Sequence, residues 1–275
     1  MATSGIIPEL WSESDARAEE VLRRAADEGD LLSLLMAIEG LPPEVGMELA
    51  RQVAELAVNV RLGIEDGQSP RDALVAVLVS GWGLRGDIDN YHAPSNSLIS
   101  KVFERKRGQP ILVSAIWILV GRASDIDIVG VGLPGHFVVG IEGVVVDPFF
   151  EGRYLSFDQC KELAARANPG RPFEPSWLAP VSVRDIGERI LRNLLRSVRE
   201  NKDEDAVYRS LRLLATLQPD APTLLELAQL AEQLGNWGEA RSLYRRIARD
   251  HTHRREGQIA ELKAVELENR SRILN

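Results

Sequence analysis

The sequence predicts an α+β protein followed by an all-helical module. Three observations carry this prediction. Residues 1–90 repeat apolar side chains at helical spacing, a helix apolar on every side begins at Pro110 and leads into short β-type segments, and helical segments after Val183 recur at a 34-residue interval. The expected organisation is a helical N-terminal part of the core domain (1–90), the mixed core itself (91–168), a linker (169–182), and a repeat module with a capping helix (183–275).

The elements follow from local chemistry. Ser12 and Ser14, with acids behind them, can start a helix running through Glu19, Val21 and Leu22. Residues 31–38 continue apolar, and Leu41-Pro42-Pro43 punctuates. Residues 44–64 then place Val45, Leu49, Val53, Leu56 and Val60 on one helical face. Pro70 begins a helix expected to run through Val79 and to end at Gly81-Trp82-Gly83. Residues 90–107 read as a loop entering a short amphipathic helix, capped by Asn96 or Ser97, with a basic end and Gly108 as its stop. Pro110 has no N–H to waste and suits the first turn of the next helix, whose all-round apolar surface implies burial on every side. Segments 126–132, 136–141 and 144–147 read as strands, the last two joined by a two-residue Glu142-Gly143 turn. A helix over 157–165 and the Pro-rich linker come next.

In the tail, Ala206 and Ala240, Ser210 and Tyr244, and Leu213 and Ile247 are each 34 residues apart. Residues 221–250 resemble a tetratricopeptide repeat, with Gly235, Trp237, Ala240 and Tyr244 on its helix–turn–helix pattern and Trp237 filling a core position. Residues 183–219 are a more degenerate copy and 256–274 a capping helix. An array this short is expected to pack on the preceding domain.

Composition excludes several classes. The 275 residues are 44% hydrophobic and 27% charged, and 33 basic against 41 acidic residues give −8. Such a chain is a poor generic ligand for nucleic acid or anionic membranes. A single cysteine excludes internal disulfides and multi-cysteine metal sites, and no metal or cofactor is expected. The longest apolar stretch, 111–120, is about half of what a bilayer needs, and the N-terminus turns acidic without a basic leader. A soluble cytoplasmic protein is the expectation.

The chemistry gathers on the predicted hairpin. With Glu142-Gly143 as the turn, Val138 faces Asp147, and His136 becomes its diagonal neighbour on the same face, roughly 7 Å away. A His–Asp pair on adjacent strands, facing the N-terminus of a buried helix, is the layout of a thiol acyl-transfer site, where the carboxylate orients an imidazole that activates a nucleophile at the helix start. The residues NSLISKVFERKRGQPILVSAIWILVGR, GVGLPGHFVV and VVVDPFFEGRYLS resemble the transglutaminase-like core of the bacterial SirB family, closely over most of residues 70–165, and the helical tail matches its common architecture. The resemblance implies a papain-like core and places the nucleophilic cysteine at the start of the central helix. That position is Pro110, while the His and Asp positions map to His136 and Asp147. Cys160 lies on a later helix, read as half-buried. The sequence departs again at Phe150-Glu151, where the family usually has Asn-Gly.

Candidate cleft-lining residues are Asn96, Ser97, Glu104, Arg107, Gly108, Ser114, Pro134 and Gly135. Five of these have a plainer reading: Asn96 and Ser97 as cap and turn, Glu104 and Arg107 as a solvated helix end, Ser114 as a small residue bonding back inside a buried helix. His136 and Asp147 can equally close the sheet, line a ligand cleft or act in catalysis. Arg241, Arg245, Arg246, Arg249, Arg254 and Arg255, with His251 and His253, form a local basic zone, either a solvated helix face or a docking patch for an acidic peptide. The expected function is a non-catalytic, pseudo-transglutaminase binding or regulatory protein whose repeats hold a protein or peptide partner. The alternatives are a weak hydrolase or acyl-transferase using His136 and Asp147 with water or Ser114, and a scaffold in which only the tail matters. No nucleic-acid or membrane partner is expected, and the oligomeric state stays open.

Overall fold

A computed structural model describes residues 13–252 and 254–273, so Ser12 and His253 lie outside the described residues. The chain divides into a unit of residues 24–193 and a unit formed by the described parts of 1–23 and 194–275.

The first unit opens with helices. α1 (Glu13–Glu28) ends in it, and α2 (Leu31–Glu39) follows, capped by the Asp30 side chain on the Ser33 N–H and closed by Gly40 at φ 71°. α3 (Pro43–Glu65) starts on a proline and buries Leu49, Val53, Ala57 and Val60. Leu49, Val53 and Val60 belong to the stripe expected from the 3.6-residue period, whereas Val45 is exposed and Leu56 half-buried, and Ala57 takes the inner place beside Val53 and Val60. α4 (Pro70–Leu74) does not continue as an α-helix to Val79: Val75–Gly81 is a π-helix. Val75, Val77 and Val79 are β-branched and crowd an α-turn, and the wider ladder bonds Trp82 N–H to the Val77 carbonyl.

The two-residue strands β1 (Arg85–Gly86) and β2 (Arg107–Gly108) pair in parallel, with α5 (Ile99–Arg105) between them in sequence. α6 (Pro110–Ala123) is the central helix; eleven of its fourteen residues are buried. It packs against a five-stranded antiparallel sheet of order β6-β5-β4-β3-β7. β3 (Ile128–Val131), β4 (Val138–Ile141) and β5 (Val144–Asp147) lie within the segments expected to be strands. Ile141 pairs with Val144 across a turn in which Glu142 and Gly143 both have positive φ, 49° and 83°, as a twisted two-residue hairpin requires. β6 (Arg153–Leu155) extends one edge, and α7 (Phe157–Ala167) follows from a Ser156 capping box.

The other edge corrects the linker reading. Pro180–Val181 is a strand, β7, paired with β3, and Pro175–Leu178 is a 3-10 turn. Proline cannot donate to a ladder, so composition read as a linker, but an edge strand tolerates it. The unit boundary also falls later than residue 183. α8 (Val183–Glu200) contributes its first half to the core, with Ile186 and Ile190 buried and Arg184 paired to Asp27.

The second unit contains α9 (Glu204–Leu217), α10 (Ala221–Gln233), α11 (Trp237–Asp250) and α12 (Arg255–Ile273), with consecutive helices packed on each other. Asp203, Asp220 and Asn236 cap three of them through the amide three residues on. Ser210 and Tyr244, and Leu213 and Ile247, are buried at their 34-residue spacing. The start of α1 joins this unit through Arg209–Asp15 and Arg212–Glu19 ion pairs. Trp237 corrects an expectation: it is 48% exposed. It stands at the first residue of α11, at the turn end of the α10–α11 pair, where solvent reaches it. The basic zone is partly neutralised, Arg245 pairing with Glu268 and both Arg246 and Arg249 with Asp250. Among the described residues no helix is long and apolar enough to cross a membrane.

Candidate functional site

The hairpin brings His136 and Asp147 together. The β4–β5 ladder is in register to Val139↔Val146, so its next residues lie side by side beyond the last pair. His136 sits in the turn before β4, with its N–H on the Leu133 carbonyl and Gly135 at φ 69°. A Cβ on Gly135 would stand 2.4 Å from that of Ala167, so the turn requires glycine twice over. Nε2 of His136 donates to Oδ1 of Asp147 at 3.0 Å, a carboxylate being able only to accept. Nδ1 makes no hydrogen bond among the described residues.

Asp147 is fully buried and His136 only 9% exposed. The second carboxylate oxygen accepts from Arg153, at 3.3 Å from Nε and 3.1 Å from Nη2. Thus the Asp147 charge is shared between an imidazole and a half-exposed guanidinium. Phe149 and Phe150 stand 6.0 and 6.1 Å from the imidazole, and Arg153 lies over the Phe150 ring at 4.3 Å. A Cβ on Gly86 would meet the Phe149 ring at 2.5 Å, so β1 presses directly on this aromatic wall. Arg189 from α8 donates to the carbonyls of Leu133 and His136, at 2.8 and 2.7 Å, and holds the Pro134-Gly135 turn from outside.

α6 meets this site at its N-terminal end. Pro110 is its first residue and is buried, behind Gln109 as N-cap with no side-chain cap bond. One turn on, the Ser114 hydroxyl donates to the Phe137 carbonyl at 3.2 Å, tying the helix to the residue after His136. Ser114 is fully buried, and its hydroxyl is engaged by that bond.

The remaining candidates form a second cluster. Asn96 and Ser97 are not the cap of α5; the N-cap is Leu98 without a side-chain bond, and Asn96 and Ser97 are the buried half of a 3-10 turn, Pro94–Ser97. Asn96 donates to the Asn90 carbonyl and accepts from Arg105, while Ser97 donates to Gln109, which itself donates to the Tyr91 carbonyl. Tyr91 in turn packs edge-on to Phe149 at 6.0 Å. Gly108 lies in β2, close against Val102. Arg107 is spent on the Gly83 and Lys106 carbonyls. Glu104 is exposed, pairs with Lys101 and borders a groove between α3 and α5.

Cys160 is fully buried, not half-buried, in a cluster with Val131, Leu133, Val138 and Leu155. Burial pushes its thiol pKa up and the nearby Asp147 charge raises it further, the opposite of an activated thiolate. Among the described residues no group of three His, Cys, Asp or Glu is placed to hold a metal. Phe149, Arg153 and Arg189 escaped the sequence reading; the β5–β6 return that delivers Arg153 to Asp147 is a pairing that no local motif announces.

The loop after Asp147 carries strain. Glu151 has φ 58° and Gly152 φ 74°, and the Glu151–Arg85 ion pair is 3.4 Å long and exposed. Left-handed geometry costs a side chain such as Glu more than it costs Asn, and an exposed pair returns little. Glu151→Asn is therefore expected to raise stability by about 0.5 kcal/mol, read from the urea midpoint at unchanged m; a loss of stability would show that the Arg85 pair matters more than the backbone.

Comparison with known proteins agrees with this architecture. A family profile described as the transglutaminase-like superfamily matches residues 47–192, just over half of the chain. A UPF0162 protein of Xylella fastidiosa is 38% identical over 164 residues, covering 56% of this chain and 58% of that protein. A UPF0162 protein of Pseudomonas aeruginosa is 29% identical over 167 residues, 59% of this chain and 62% of its own. Mouse F-box only protein 21 is 28% identical over 185 residues, 61% of this chain but 28% of its own. The matches thus span less than two thirds of these relatives' length. No solved structure matches the chain. On the profile match, and with the strand and helix order described above, the chain belongs to the transglutaminase-like superfamily.

Proposed function

We propose that this protein is a non-catalytic, pseudo-transglutaminase binding or regulatory protein of the cytoplasm, with the His136–Asp147 pair as the remnant of an acyl-transfer site. The observation that carries this reading is Pro110 at the first position of α6. A pyrrolidine ring stands where such a site needs a thiol, and proline offers no nucleophile. The two side chains that could replace it are disarmed: Ser114 is buried and bonded to the Phe137 carbonyl, and Cys160 is buried with a raised pKa. Asp147 is also bonded to Arg153, so its charge is not reserved for the imidazole. In this reading the second unit is a tetratricopeptide-type pair that holds a protein or peptide partner. The 34-residue recurrence of its buried positions supports that, since stacked helical repeats commonly present a peptide-binding face.

The test restores the nucleophile. In a Cys160→Ser background, the Pro110→Cys variant is treated with a thiol-reactive acyl probe, with and without His136→Ala. Labelling of the introduced thiol that falls severalfold with His136→Ala is expected if the site retains its acyl-transfer geometry. In parallel the wild-type chain is assayed on ester and peptide-amide substrates. Hydrolysis that disappears with His136→Ala would overturn the non-catalytic reading and favour water activated by the imidazole.

A further inference from the structure

The start of α6 is a buried helix end whose free amides lack acceptors. Pro110 has no N–H to place. The next two amides, of Ile111 and Leu112, have no acceptor among the described residues, although these residues are only 1% and 0% exposed. The N-cap does not supply one, because the Gln109 side chain is turned to Ser97 and to the Tyr91 carbonyl. The intrahelical ladder begins only with the Val113 amide on the Gln109 carbonyl.

A second unpartnered group lies at the same end. His136 is 9% exposed, its Nε2 is committed to Asp147, and its Nδ1 has no partner among the described residues. The indole N–H of Trp117 is the one fully buried side-chain nitrogen or oxygen without a partner among those residues, so solvent reaches Nδ1. Two sets of contacts set the imidazole beside the helix end. Ser114, one turn on from Pro110 and on its face, donates to the carbonyl of Phe137, the residue after His136. From the other side, the N-cap Gln109 holds the Tyr91 carbonyl, Tyr91 packs on Phe149, and Phe149 stands 6.0 Å from the imidazole.

We propose that the start of α6 and His136 form a carboxylate-binding site, with the Ile111 and Leu112 amides and Nδ1–H of His136 as its donors. This deepens the reading of the His136–Asp147 pair as a remnant that binds, and rests on it. The helix end favours an anion by about half an elementary charge. The charged groups that face the imidazole are Asp147 on β5, Arg153 on the other oxygen of Asp147, and Arg189 from α8 on the His136 carbonyl. Nε2–H stays on Asp147, so donation from Nδ1 requires the imidazolium, and a bound carboxylate takes up the proton that the neutral ring lacks. Three donors match the two oxygens of a carboxylate. A phosphate would press its remaining oxygens on Phe149 and Phe150, which offer them no donor. The same two rings suit an apolar group next to the carboxylate, as at a peptide C-terminus or in a short-chain acid.

The experiment titrates the full chain with butyrate and, separately, with butyramide and inorganic phosphate, and follows the Ile111 and Leu112 amides and the His136 ring by NMR. Butyrate is expected to shift all three signals, and to bind about tenfold or more tighter than either of the others. Its affinity is expected to fall as pH is raised from about 6 to about 9, as an imidazolium donor requires. His136→Phe removes that donor and is expected to weaken butyrate about tenfold or more. Gln109→Asp gives α6 its own N-cap carboxylate on the Leu112 amide, and is expected to remove the butyrate shift by competition. Equal binding of butyrate and butyramide, or butyrate binding that survives both variants, would overturn the proposal; phosphate binding as tight as butyrate, or affinity that does not fall with pH, would do so as well. A dipeptide with a free C-terminus, set against butyrate, separates the sources: tighter binding assigns a chain terminus and equal binding a small acid, and both support the site. His136-dependent ester hydrolysis would sink the non-catalytic reading while carboxylate binding stood, so the two fail separately.

Discussion

Replacing Asp147 with alanine is expected to destabilise the residue 24–193 unit by about 3 kcal/mol. Asp147 is fully buried and accepts from His136, in the turn before β4, through one oxygen and from Arg153, at the start of β6, through the other. Deleting the carboxylate leaves the His136 N–H without its partner in a setting that is 9% exposed, and opens a void beneath it. Arg153 loses less, because its side chain is 48% exposed and water can take over its donors. That places the cost near the lower end of what breaking a buried pair entails. The loss is expected in the urea midpoint, and more locally in faster amide exchange along Val138–Ile141 and Val144–Asp147, whose ladder this pair closes. A loss below about 1 kcal/mol would mean that the pair is as screened as a surface ion pair and does not lock the end of the hairpin.

Much of this pair was legible in the sequence, for a physical reason. Strand periodicity of two, with a turn whose residues are fixed by their need for positive φ, determines register, and register determines which side chains meet. Glu142-Gly143 therefore set Val138 opposite Asp147 and brought His136 near it, while the last approach is made by the turn before β4, which the register does not reach. The all-apolar α6 was equally plain, since no amphipathic alternative exists for a helix without a polar face. What stayed hidden depends on long-range pairing or on backbone detail. β7 is written in proline-rich composition, and only its partner β3 makes it a strand. The π-helix over Val75–Gly81 differs from an α-helix by one residue in its hydrogen-bond spacing, which apolar spacing over seven residues does not resolve. Arg153, Arg189 and Phe149 reach the site from elements whose placement is tertiary, so nothing near them in the chain marks them. Asn96 and Ser97 look like a cap because the same side chains serve caps and buried loops; burial turned them inward to Arg105 and Gln109.

That inward turn rests on Arg105, and Arg105→Met is the second large loss expected, again about 3 kcal/mol at neutral pH. The guanidinium binds Asp87 at 2.6 Å and, through its other nitrogen, Ser95 and Asn96 at 2.8 Å each, so a single side chain pins both ends of the loop between β1 and α5. The Asp87 side chain is only 6% exposed. Burial works against its charge, but the hydrogen bond from Arg105, with those from the Asn90 amide and Asn96, outweighs it, and the carboxyl pKa lies below its ordinary 3.8. A carboxyl lowered by folding contributes stability that is complete above the ordinary value and is lost as pH falls through the folded one. In Arg105→Met the main opposing interaction is gone while burial remains, so ionised Asp87 becomes a penalty. The difference between wild type and variant is therefore expected to be largest at about pH 7 and to narrow as pH falls toward and below the ordinary 3.8, where the variant's carboxyl takes up its proton before that of the wild type. Urea unfolding over a series of pH values from neutral downward measures it, and a difference that does not narrow on acidification would show that Arg105 acts through packing of its stem and not through Asp87. The consequence reaches the candidate site, because the loop that Arg105 pins carries Tyr91, Tyr91 packs on Phe149, and Phe149 stands against His136. A variant that keeps every residue of the His136–Asp147 pair is thus expected to lose the aromatic wall beside it, seen as a changed His136 ring environment by NMR.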